Sequence, residues 1–160
     1  MKAVLKSFVY AGRGIAYCLL HERNMRIHFT FMVYMYCYLL IYDFFEISRT
    51  QFAVIFLANS MVMMGECINT AIEKCIDLVE EKYSKLAEIS KDAAAGAVLI
   101  GAIFSVLVGL AVMLQPKAFE KMFLYYKENP LMLVVLILSL TLSMLFIFKG
   151  DKLNNIRRKK

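Results

Sequence analysis

A chain of 160 residues that is 61% hydrophobic, with mean hydropathy +0.61, carries more apolar surface than a soluble domain of this size needs. Several apolar runs near bilayer length point instead to an all-α polytopic membrane protein. The formal net charge of +6 comes from lysines and arginines that flank the apolar runs and form no domain of their own. It suits anionic leaflet surfaces and phosphate ligands, and it leaves no nucleic-acid-binding signature.

Residues 2–24 alternate Lys2, Lys6 and Arg13 with Val4, Leu5, Phe8, Val9, Ile15 and Leu19, the pattern of an amphipathic helix on the inner membrane surface. The stretch is too charged for a cleavable signal peptide. Gly12 and Gly14 do not make a phosphate loop: no third glycine follows, no strand precedes, and G-K-[ST] occurs nowhere. His21-Glu22 begins like a zinc-protease H-E-x-x-H, but position 25 is Met. His28 reads as an interface histidine.

A first span is expected from about Ile27 to Tyr42, short enough to borrow its flanks, with Tyr34, Tyr36, Tyr38 and Tyr42 at interfacial or packed positions. Asp43 to Arg49 is a polar turn. The second span starts near Phe52 and runs on into G-E-C-I-N-T-A-I-E-K-C-I-D, Gly65 to Asp77. Glu80 to Lys91 is charged, and Ser90 is the expected N-cap of the third span, Asp92 to Leu114. That span opens with the small residues D-A-A-A-G-A, which allow close helix approach. Gln115-Pro116 ends it, Lys117 to Asn129 is interfacial, and Pro130 opens a fourth span, Leu131 to Phe148. The Lys149–Lys160 tail is basic. Cys18, Cys37, Cys67 and Cys75 have no metal spacing and read as small apolar fillers. The lysine and arginine distribution places both termini and the segment between spans two and three in the cytoplasm.

The second span carries the chemistry. Glu66, Asn69, Glu73 and Asp77 fall on one narrow helical stripe, with Asn59 on the same side. An acid deep in a bilayer costs roughly 2.5–3.5 kcal/mol, so the stripe faces protein or a wet site. The bland alternative is a polar seam between packed helices. The orientation brings Glu22, the stripe and Lys91-Asp92 to one cytoplasmic level. Mg²⁺ takes one or two carboxylates plus phosphate oxygens. Phosphoryl transfer needs such a metal, a cation on the phosphate and a group that orients the attacking hydroxyl. Glu66, the deepest acid, suits a base with its pKa raised by partial burial. On residues alone, phosphoryl transfer from a nucleotide to a lipid alcohol stands beside a cation transporter or assembly subunit using the same acids.

E-x-x-N-[ST]-A-I-E-x-x-x-D at Glu66 to Asp77, K-D-x-A-A-G-A-V-L at Lys91 to Leu99, and Y-A-G-R-G-I-A-Y…H-E-R-N-M-R-I-H near the amino terminus resemble the small bacterial integral-membrane diacylglycerol kinase and undecaprenol kinase family. The resemblance covers residues 2–114. It implies a homotrimer in the bacterial inner membrane, each protomer with a surface helix and three spans. The active site would face the cytoplasm, with ATP as phosphoryl donor and Mg²⁺ as cofactor. By position it makes Glu66 the catalytic base and Asn69 a positioner of acceptor or phosphate. Glu22 and Glu73 would hold the metal, Lys91 the nucleotide phosphate, and Tyr10, Asp77 and Asp92 would line the nucleotide pocket. The motif forms lie closer to the Gram-positive branch, which implies undecaprenol as the lipid alcohol, with diacylglycerol the alternative. Residues 1–115 would then form the kinase membrane domain. Residues 116–160 would add an interfacial segment, an extra span and a basic tail, serving as an anchor or as the start of a further domain.

Overall fold

The computed structural model describes residues 2–80 and 82–157, with side chains as far as Phe148. The described residues form six helices and no strand: α1 (Lys2–His21), α2 (Arg23–Leu40), α3 (Arg49–Val79), α4 (Lys85–Met113), α5 (Pro116–Glu128) and α6 (Pro130–Arg157). Four stretches are long and apolar enough to cross a membrane: Lys2–His21, Arg49–Val79, Lys85–Met113 and Pro130–Phe148. Arg23, Arg26 and the tyrosines hold α2 below that apolarity, yet it runs alongside α3. The basic side chains of the Lys149–Lys160 tail lie outside the described ones.

Several boundaries have a local cause. Ser48 and Gln51 form a reciprocal capping box: Gln51 N donates to Ser48 Oγ at 3.2 Å and Ser48 N to Gln51 Oε1 at 2.9 Å. This starts α3 three residues before Phe52. Pro116 occupies the first turn of α5, where its missing N–H costs nothing. One boundary differs from expectation. Ser84, not Ser90, caps α4, accepting from Ala87 N at 3.5 Å. Ser90 lies inside the helix and donates to Leu86 O at 2.8 Å. The segment K-L-A-E-I-S-K, residues 85–91, therefore extends the third long helix by two turns instead of preceding it. Asp92 is accordingly an interior residue of α4 and caps nothing.

α3 and α4 make an antiparallel hairpin. Its register is fixed by Ser105 Oγ donating to Asn59 Oδ1 (3.4 Å), Gly65 lying against Val98, and Lys91 Nζ donating to Asp77 Oδ1 (2.6 Å). A Cβ added at Gly65 would meet Val98 Cγ2 at 3.6 Å and Val98 Cα at 3.9 Å, ordinary contact distances, so the helices approach closely here with room for an alanine. α2 packs antiparallel to α3 on the other side, where Asn59 Nδ2 donates to Tyr36 Oη at 3.2 Å. α6 lies on α2: Tyr34 Oη donates to Ser139 Oγ at 2.9 Å and is 3.1 Å from Ser143 Oγ.

Phe44, Phe45 and Ala118 form a buried cluster beside Tyr38, Tyr42 and Tyr125, joining the stretch after α2 to α5. Gln115 clasps the backbone of Glu46 from both sides, accepting from its N at 3.1 Å and donating to its O at 3.0 Å. This aromatic end lies at the opposite end of α3 from the acidic stripe.

Candidate active site

Helix length sets the depth of each acid. At 1.5 Å per residue the 31-residue α3 is about 46 Å long, against a hydrocarbon core of about 30 Å. Glu66 lies about 25 Å from the Arg49 end and Glu73 about 36 Å from it. With Arg49 at one membrane surface, Glu66 sits just inside the far edge of the apolar layer and Glu73 and Asp77 lie beyond it.

Glu66 is 2% exposed. His28 Nε2 on α2 approaches its Oε1 to 3.4 Å, near enough for charge attraction, but the pair is not aligned as a hydrogen bond and Oε1 has no hydrogen-bond partner. One turn along, Asn69 Nδ2 donates to Glu73 Oε1 at 2.9 Å, while buried Asn69 Oδ1 also has no hydrogen-bond partner. Leaving a buried acceptor unpaired costs about 1–3 kcal/mol. Two such oxygens one turn apart, beside a second carboxylate, are what a group arriving from outside the chain would satisfy.

The structure places the other expected residues with different clarity. Lys91 and Asp77 are joined directly, as a half-exposed ion pair between α4 and α3. Asp92 follows Lys91 and is exposed. Glu22 is the joint between α1 and α2, with extended backbone (φ −104°, ψ 122°) and no side-chain bond to the helix it precedes. The α2–α3 register of Tyr36 opposite Asn59 and His28 opposite Glu66, carried under two turns further, brings Glu22 level with Glu73. Tyr10 is 56% exposed on α1, and the Arg13 guanidinium lies 5.9 Å from its ring centroid. The single chain does not draw Tyr10 into the cluster. Sequence reasoning passed over Arg26, which is 1% exposed. Its one signal is a cation next to Met25 on the apolar side of α2.

Among the described residues no group of three or more histidine, cysteine or acidic side chains forms a ready-made metal site. Mg²⁺ does not need one, because it keeps waters and takes phosphate oxygens alongside one or two carboxylates. Glu73 with the unpartnered Asn69 Oδ1, and Glu22 at the same level, fit that donor set.

A cavity of about 460 Å³ opens between α2, α3 and α4. Its walls include Ile27, Phe31, Met35, Ile55, Val62 and Val106, and His28 lies at its acidic end. An apolar groove thus leads to the histidine that touches Glu66.

The model of the prokaryotic diacylglycerol kinase family matches residues 9–113. The chain is 42% identical over 110 residues to an undecaprenol kinase of Bacillus subtilis (strain 168), covering 68% of this chain and 86% of that protein. It is 41% identical over 115 residues to a diacylglycerol kinase of Synechocystis sp. (strain ATCC 27184 / PCC 6803 / Kazusa), covering 71% of this chain and 63% of that one. No solved structure is significantly similar. With its acidic helix, its α3–α4 hairpin and this match over most of its length, the chain belongs to the prokaryotic diacylglycerol kinase family.

Proposed function

We propose that the protein is an ATP-dependent kinase of a membrane lipid alcohol, that its acceptor is undecaprenol, and that it works at the cytoplasmic face of the bacterial inner membrane as a homotrimer. The family match and the two named relatives support the phosphotransferase class. The observation that carries the acceptor is the apolar groove ending at His28, which lies 3.4 Å from Glu66. Its polar residues Asn59 and Ser105 already bond one another, which suits a hydrocarbon chain without ester carbonyls close to its hydroxyl. Diacylglycerol, the acceptor in the name of the Synechocystis relative, is the alternative.

The chemistry divides among the residues as follows. Glu66 accepts the proton of the lipid hydroxyl as that oxygen attacks the γ-phosphorus and the bond to the departing ADP breaks. Asn69 holds Glu73 and offers its free carbonyl to the incoming groups. Glu22 and Glu73 would hold the metal. Lys91 exchanges Asp77 for a nucleotide phosphate, and Asp77, Asp92 and Tyr10 border the nucleotide. Mg²⁺ held there would supply neutralisation of charge on the transferred phosphate. Residues 1–115 carry the residues of the reaction, and 116–160 follow them. An ion path is the weaker reading, because it needs polar groups throughout the bilayer and the groove above Glu66 is apolar.

The test is transfer of labelled phosphate from ATP by the purified full chain into undecaprenol and diacylglycerol, assayed side by side. Faster labelling of undecaprenol is expected. Faster labelling of diacylglycerol would exchange the acceptor, and labelling of neither would overturn the kinase reading.

A further inference from the structure

Arg26, in the first turns of α2, is buried at 1% exposure. A guanidinium keeps its charge at any physiological pH, so taking it out of water is costly unless its donors are met. Among its bonds, Nε donates to Ile147 O at 3.0 Å and Nη1 to Leu20 O at 3.1 Å. The first carbonyl belongs to α6, the second to the last turn of α1. The backbone N of Arg26 also donates to Glu22 O at 3.3 Å. One side chain therefore ties α6 to the α1–α2 elbow, and the elbow residue is Glu22. The height of α6 against α2 is set separately by Tyr34 on Ser139 and Ser143, one turn from Ile147. Ile147 is itself buried at 8%, in a helix whose residues are otherwise mostly exposed. All of α6 lies outside residues 9–113 matched by the family.

We infer that α6 is a working part of this kinase: through Arg26 it fixes the elbow and holds Glu22 at the level of Glu73. Arg26 is a positioning residue that acts through Glu22. The inference rests on the proposed role of Glu22 toward Mg²⁺, which the donor set above fits. It goes beyond the expectation that the fourth span is an anchor or the start of a further domain.

The test uses three full-chain variants. Arg26→Met removes the side-chain bonds, those to Ile147 and Leu20 among them, and Arg26→Lys restores a cation able to reach one carbonyl. Ile147→Trp keeps Arg26 and overpacks the buried contact of α6, pushing the Ile147 carbonyl off the guanidinium. Two quantities are read: the Mg²⁺ concentration for half-maximal turnover against kcat, and Mn²⁺ binding by paramagnetic resonance with a non-hydrolysable ATP analogue. Supporting partners of metal ligands typically contribute about 10–100-fold in affinity. Arg26→Met and Ile147→Trp should each weaken Mg²⁺ and Mn²⁺ about tenfold with kcat at saturating Mg²⁺ little changed. Their combination should be no worse than either alone, and Arg26→Lys should recover part of the loss. Wild-type metal affinity in Ile147→Trp, or fully additive losses in the combination, would overturn the inference. If Arg26→Met does not fold, Ile147→Trp, which keeps Arg26, decides alone. If the wild type labels no lipid, the kinase reading fails, and Mn²⁺ binding still judges the elbow.

Discussion

At the aromatic end of the bundle, Phe44, Phe45 and Ala118 are buried together, Gln115 meets both backbone groups of Glu46, and Tyr38 and Tyr126 share a 3.0 Å hydrogen bond. At the acidic end, the same chain buries Glu66 Oε1 and Asn69 Oδ1 without hydrogen bonds, the only such side-chain atoms among the described residues. One end gains stability from packing and paired polar groups. The other gives up about 1–3 kcal/mol for each unpaired oxygen. Folding alone gives no reason to keep such an arrangement. It follows that substitutions should have opposite effects at the two ends: on rate at the acidic end, on stability at the aromatic one.

The sharpest break of that comparison is Glu66→Gln set against Ala118→Leu. Glutamine keeps the shape of the side chain but cannot take the hydroxyl proton at neutral pH. Turnover should fall by about 10²–10⁴-fold, while the melting temperature holds or rises as a buried acid is neutralised. Ala118 is 1% exposed among aromatic rings, so leucine there should overpack the cluster and cost about 1–3 kcal/mol. The kcat of the folded fraction should not change. Kinetics and thermal melts on both variants check this; a Glu66→Gln protein that melts lower yet turns over normally would reverse the assignment of the two ends.

A smaller effect separates structure from chemistry within the acidic end. The Lys91–Asp77 pair has side chains 39% and 51% exposed, and such pairs contribute at most about 1 kcal/mol to stability. Lys91→Met should therefore barely move the melting temperature. A charge-assisted bond to phosphate contributes about 1.5–3 kcal/mol, so the KM for ATP should rise roughly 10–100-fold. A lower melting point with unchanged KM would make Lys91 a mere helix clamp.

The smallest effect belongs to the aromatic end. Burial, reinforced by the hydrogen bond with Tyr38, pushes the Tyr126 hydroxyl up to about 12. Tyr42 is raised as well, chiefly by burial and then by the nearby Tyr126. A raised folded value means that stability from these neutral phenols is intact below the unfolded pKa, about 10, and is lost as pH rises toward about 12. A tyrosinate titration followed alongside thermal melts should show this alkaline loosening, and Tyr126→Phe should remove part of it.

The acidic stripe was legible in the sequence because a 3.6-residue period aligns Glu66, Asn69, Glu73 and Asp77 whatever packs against them. The α3–α4 hairpin was legible for a similar reason, from two long apolar runs joined by a short charged stretch. Partners across helices were not. Nothing local tells that His28 meets Glu66, or that Tyr34 reaches Ser139 and Ser143 more than a hundred residues away. The start of α4 was misplaced because Ser84 and Ser90 are equally good caps in isolation. Only the helix turns between them decide, and there Glu88 N donates to Ser84 O at 3.0 Å while its carboxylate accepts from Tyr83 and Lys85. Arg26 escaped notice because a cation near a span end normally reaches toward water, whereas here two helix carbonyls are among its partners.

The length of α3 has one more consequence. Its capping box at Ser48 and the aromatic cluster beside it fix where the rod begins, and no proline interrupts it before Val79. The helix is therefore a ruler, with Glu66 a fixed mark about 25 Å along. A bilayer has no such fixed measure: its thickness varies by several ångströms with lipid composition. In a thicker membrane the mark sinks beneath the surface where nucleotide waits, and in a thinner one it rises into water and loses its dry surroundings. In the proposed reaction, the composition of the host membrane thus tunes the depth at which hydroxyl and phosphate would meet.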